Sequence, residues 1–123
     1  MAEHREFHLP DLFEGWERPE GYPIGISRKI LSGALDETAR TGRRTSLVRF
    51  APGAILPRAV EHEFAEEVYV VEGDLLVGCA PGGSGGERFG AGTYAIRPAR
   101  APHGPFASET GCLMLEIVYF EDG

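Results

Sequence analysis

The chain has 123 residues, with 12 Lys plus Arg against 19 Asp plus Glu, giving a net charge of −7 at neutral pH. This length fits one domain, and 42% hydrophobic with 25% charged residues is a globular rather than a disordered composition. The acidic balance argues against a nucleic-acid or anionic-membrane partner, and the longest apolar stretch, 113–120, is interrupted by Glu116 and too short to span a bilayer.

Residues 1–23 mix acidic, aromatic and proline positions with neither a helical nor a strand period and are expected to form an extended arm. Its charged start is unlike a secretory signal, so a cytoplasmic location is expected. Phe7, Leu9, Leu12, Phe13 and Trp16 need a surface to cover, either the barrel of the same chain or a partner subunit. From Ile24 onward, with 24–123 taken as one domain, short β-like runs fall at 24–31, 45–50, 56–62, 66–72, 74–79, 93–97 and 113–120, separated by many of the 17 Gly and 9 Pro. Seven such runs predict an all-β sandwich or barrel. Only 32–41 is expected to hold a helical turn, and the GGSGG stretch at 82–86 reads as a hairpin loop rather than a phosphate cradle, because no Lys-Ser or Lys-Thr follows it. Tyr69 and Val71 alternate with Val68 and Val70, which predicts a core strand covered on both faces. Cys79 and Cys112 are expected to be buried free thiols, and Phe106 and Met114 packing residues.

The chemistry has few carriers. The chain has no Asn or Gln and four His, of which His4 and His8 fall in the arm. A strand ending near His62, a turn through 63–65 and a returning strand from Glu66 set an imidazole opposite a carboxylate. Downstream, GTYAIRPARAPH at 92–103 brings His103 to the start of another strand. Two His and one carboxylate facing inward from a β framework form a facial triad that leaves metal positions open for water, substrate or dioxygen. Arg49, Arg58 and Arg97 lie on or beside strands, either as surface charges or as binders of an anionic substrate.

These segments resemble the two motifs of the cupins. Gly53, Glu66 and Gly73 match the first motif, and Gly92, Pro98 and His103 stand at the spacings of the second. The wording of TSLVRFAPGAILPR, EEVYVVEGDL and SETGC is similar to the ChrR-like cupins, a resemblance that runs from about Thr45 to Phe120. It implies a jelly-roll or double-stranded β-helix barrel with one divalent transition metal, Fe, Mn, Ni or Zn, and a small-molecule substrate. The motif's His-x-His falls on Val60 and His62 with one permitted gap and on Ala59 and Glu61 with the other, so one His is absent either way. Glu61 and His62 cannot both face inward without a bulge. His62 is preferred, because it keeps a two-His, one-carboxylate set with Glu66 and His103. Arg100 replaces the second motif's Gly and Ala107 its Asn.

The resemblance implies a metal-dependent enzyme of the dioxygenase type acting on a carbonyl or enol substrate, with Glu61 as a base or fourth ligand and Tyr94 on the cavity wall. It also allows a non-catalytic sensing module or a metal-free isomerase or cyclase. A homodimer is expected from the family and from the aromatic arm.

Overall fold

In a computed structural model that describes residues 3–121, β1 (Ile26–Asp36) and β2 (Thr41–Phe50) form a long antiparallel hairpin that opens the fold. The sheet continues through β8 (Cys112–Tyr119) to β4 (Ala65–Val77), which also carries the short strands β5 (Glu87–Gly90) and β6 (Tyr94–Arg97). β7 (Phe106–Ala107) pairs with both β4 and β3 (Ile55–Leu56). Every pairing is antiparallel, and the described residues include no helix, as expected of a jelly-roll barrel.

β4 is the strand that makes the curvature. Its first half pairs with β6 and β8 in one sheet, and Asp74–Val77 pairs with β5 in the other. A register shift between Val70 and Glu72 leaves Val71 as the bulged residue, and Gly73 follows at φ +84°. A bulge adds local twist, and a residue without Cβ lets the strand turn the corner. At Gly73 a Cβ would stand 2.0 Å from the Gly111 carbonyl oxygen, so the close approach of β4 to the start of β8 requires glycine. The core sits between the sheets and includes Ile26, Val48, Phe50, Val68, Val70, Leu75, Phe106, Cys112 and Met114. Both cysteines are free and buried.

Several boundaries differ from the expectations. The 32–41 segment holds no helical turn. Ser32–Asp36 completes β1 by pairing with Thr41–Thr45, and a tight turn is fixed where Asp36 Oδ1 accepts the Ala39 N–H at 2.9 Å. Cross-strand pairing outweighs weak local helix propensity there. The 56–62 run is not a continuous strand: Pro57 has no N–H to offer a ladder, and only Val60 pairs again, in a bridge to His103. The two runs 66–72 and 74–79 are one strand, because the bulge and Gly73 preserve pairing across the Gly that suggested a break.

β4 is not covered on both faces. Val68 and Val70 are in the core, whereas Tyr69 and Val71 are about half exposed together with Tyr94 and Ile96. In the arm, Phe7, Leu9 and Phe13 are fully exposed, while the Trp16 ring lies 3.9 Å beneath the Arg49 guanidinium and Glu17 pairs with Arg28.

Candidate metal centre

The two histidine-bearing segments are tied together by main chain. Val60 and His103 exchange N–H···O bonds of 2.8 and 2.9 Å, and the Arg100 N–H donates to the His62 carbonyl at 2.7 Å. Arg100 adopts φ +67° at the position of the motif's glycine, so the turn forms although a side chain must be held in the left-handed region. Glu66 enters from the first turn of β4, facing Arg97 on β6 and Val118 on β8.

Strand parity then decides what enters the barrel. Glu66 and Arg97 are cross-strand partners on the inner face, as are Val68 and Ala95, whereas Glu67 with Ile96 and Tyr69 with Tyr94 face outward. His62 Nε2 lies 3.8 Å and His103 Nε2 3.6 Å from the same carboxylate oxygen, Glu66 Oε2. One donor atom from each of the three residues lies within 4.8 Å of the others. Ligands about 2.1 Å from a common ion stand roughly 3.0–3.4 Å apart, so small side-chain adjustments close this set onto a metal.

The two imidazoles are in the correct protonation state for that. His103 Nδ1 lies 3.0 Å from the Ala101 carbonyl, which can only accept, so Nδ1 carries the proton and Nε2 presents its lone pair to the site. Burial, then the neighbouring His103, pushes His62 down to about 4, and burial also lowers His103. Both imidazoles are therefore neutral at pH 7, as metal ligation requires. Burial raises Glu66, opposed by Arg97, whose Nη1 donates to Oε1 at 3.0 Å and leaves Oε2 for a cation. The His62 ring is stacked on Phe64 at 4.7 Å, which restricts its rotation. Two neutral imidazoles and a buried carboxylate with one free oxygen fit a divalent transition metal.

The triad opens on a cavity of about 290 Å³ with mainly apolar walls, including Ile26, Val48, Leu56, Val68 and Phe106. This is at the small end of the roughly 300–1,000 Å³ range of ligand pockets. Val60, at the absent His position, lines the cavity, and Glu20–Pro23 of the arm supply part of its wall. Arg58 and Arg97 also border it, but Arg49 is engaged with Trp16. Phe106 and Met114 belong both to the core and to the wall.

Two residues expected at the site, Tyr94 on the cavity wall and Glu61 as base or ligand, lie elsewhere. Tyr94 projects from the outer face, is 56% exposed and donates its hydroxyl to Glu67, because its parity is opposite to that of Arg97. Glu61 is exposed and does not line the cavity, since the inward position goes to its neighbour His62. The sequence reading missed Glu116, which lines the cavity from β8 and whose carboxyl is pushed up to about 7, first by burial and then by Glu66. Its signal was available: a lone acid at an alternating position within the apolar run CLMLEIVY.

A family model of the ChrR cupin-like domain matches residues 16–118. No curated protein matches the sequence. Among solved structures, an RmlC-like cupin from Shewanella frigidimarina aligns with a TM-score of 0.66 at 21% identity, over 97% of this chain and 96% of that one. The polyketide cyclase RemF from Streptomyces resistomycificus aligns with a TM-score of 0.68 at 19% identity, over 97% and 81% of the two chains. An acetylacetone dioxygenase from Acinetobacter johnsonii aligns with a TM-score of 0.64 at 17% identity, over 95% and 76%. At these identities the likenesses establish a shared fold.

Proposed function

Because the chain belongs to the ChrR cupin-like family, we propose that it is a metal-dependent enzyme of the dioxygenase type, acting on a small carbonyl or enol substrate in the barrel cavity. The observation that carries this reading is the convergence of His62, Glu66 and His103 on a mainly apolar cavity. The similarity in fold to an acetylacetone dioxygenase agrees with it.

An Fe, Mn, Ni or Zn ion held by these three residues would supply Lewis acidity and, in the redox-active cases, reactivity towards dioxygen. The chain's own residues prepare the site. Arg97 favours the ionised form of Glu66 and fixes its Oε1, and the Ala101 carbonyl fixes the tautomer of His103. The apolar walls exclude water and orient a flat substrate, and Val60 leaves a side of the triad free of a fourth protein ligand.

Elemental analysis of the purified protein, followed by chelation and titration with Fe, Mn, Ni or Zn, tests the metal. Near-stoichiometric binding and a rise in melting temperature are expected, both lost in His62→Ala and His103→Ala. An oxygen electrode with acetylacetone and related 1,3-dicarbonyls then tests the activity. No metal and no thermal gain with any of the four ions would overturn the metal reading. Tight ligand binding without oxygen consumption would instead favour a non-catalytic sensing module, the second reading that the family match supports.

A further inference from the structure

The cavity has a further acidic group beside the triad, because Glu66 and Glu116 are diagonal neighbours across β4 and β8. Glu116 faces inward on β8 between Ser46 of β2 and Val68 of β4, with Met114 and Val118 on either side of it along the same face. Those two neighbours are buried and apolar, so the carboxyl rises from an apolar floor into the cavity. No ion pair within 4 Å holds it among the described residues: Arg97 is committed to Glu66 and Arg28 to Glu17 at 2.7 Å, while Arg44, a diagonal neighbour on β2, is the nearest uncommitted positive charge acting on it. A carboxyl enclosed without an ion pair is costly, and a perturbed group of this kind in a cleft is a functional-site candidate.

Its surroundings contain further unused hydrogen-bonding capacity. Ser46, directly across from Glu116 in the register, is fully buried with no partner for its Oγ, and Arg44 Nε on the same inner face is likewise buried and unpartnered. Native interiors rarely leave such atoms unpaired. Tyr22, from the end of the arm, lines the same cavity, and after burial Glu116 is the foremost influence raising its hydroxyl.

We propose that Glu116, with Tyr22, is a specificity-determining anchor that hydrogen-bonds a hydroxyl or carbonyl of the ligand beside the metal triad. The ligand class is then a small bifunctional molecule with metal-binding oxygens, an apolar body against Val48, Leu56 and Phe106, and a further polar group that reaches Glu116. This rests on the reading of the cavity as the substrate site and adds a chemical constraint to it.

The test compares benzoylacetone with its meta- and para-hydroxyphenyl analogues, by calorimetry, on metal-loaded and metal-free protein. One of the hydroxylated isomers is expected to bind the wild type at least about fivefold more tightly than benzoylacetone, the value of one net hydrogen bond. That preference should vanish in Glu116→Leu and persist in part in Glu116→Gln. Equal binding of all three compounds by the wild type, or a hydroxyl preference that survives in Glu116→Leu, overturns the anchor while leaving the metal centre intact. A hydroxyl preference present without metal supports the anchor even where metal loading fails. Binding of none of the compounds in either state overturns both readings.

Discussion

Arg97 is the residue on which the triad's electrostatics turn. It is buried against Glu66 and its guanidinium lies 5.3 Å from the centre of the Phe106 ring, so removing it strands a carboxylate in the interior. Arg97→Met is expected to cost about 3 kcal/mol in denaturant unfolding, since breaking one side of a buried pair leaves an uncompensated charge. It should also weaken metal binding at pH 7, because Glu66, already raised by burial, then holds its proton more tightly. His62 gives a separate pH signature. Its folded value of about 4 lies below the ordinary 6.5, so between these values the unfolded chain takes up a proton that the folded chain does not. Its contribution to stability is complete above about pH 6.5 and declines as the pH falls through 4. Metal-free protein should therefore show a melting temperature that falls over this window, with a shallower slope in His62→Ala. At this scale the sequence was informative: motif spacing brought His62, Glu66 and His103 together, and the rule that adjacent strand residues face opposite ways separated His62 from Glu61. It failed at Tyr94, because the spacing of a motif does not give the parity of the strand that carries it. Arg97 and Tyr94 lie three positions apart on β6, so only one of them can face the cavity.

Among the elements, β4 joins the two sheets and supplies Glu66 to one of them, so its corner positions the centre. Gly73→Ala places a Cβ at φ +84° against the main chain of Gly111 and Cys112. A loss of at least about 2 kcal/mol is expected, measured as a lower urea midpoint, from backbone strain together with the contact. A variant as stable as the wild type would show that the corner relaxes freely. The sequence suggested a break here, since a lone glycine between two apolar runs looks the same whether a chain reverses or bends. Long-range pairing with β8 distinguishes the two cases, and no local window contains that information. The same limitation explains β5 and β7, four and two residues long, which exist only because β4 offers them an edge. The anchor at Glu116 was legible in principle. An acid at an inward position of an alternating strand has either a partner or a task, but the inward parity of β8 became visible only in its pairing with β2.

At the scale of the whole molecule, an apolar patch on the outer sheet face has no cover among the described residues. Tyr69, Val71, Tyr94 and Ile96 are 45–58% exposed, and Phe7, Leu9 and Phe13 of the arm extend fully into solvent. Exposed apolar surface of this kind marks association. The expected assembly is a homodimer in which a second copy covers this face; sedimentation should give twice the mass of one chain, and Ile96→Lys should shift the equilibrium towards monomer with the metal site unchanged. A monomeric wild type at micromolar concentration would remove this expectation. The arm has another consequence. Glu20–Pro23 form part of the cavity wall, yet the preceding residues are held by the Glu17–Arg28 pair, the Trp16–Arg49 stack and a bond of 2.8 Å from Lys29 Nζ to the Glu14 carbonyl, all near the surface of β1 and β2. Detaching this segment costs much less than opening the barrel. Release of a ligand from the cavity is therefore expected to follow detachment of this segment, and added salt, which screens its charged contacts, should speed it while leaving the melting temperature of the barrel nearly unchanged.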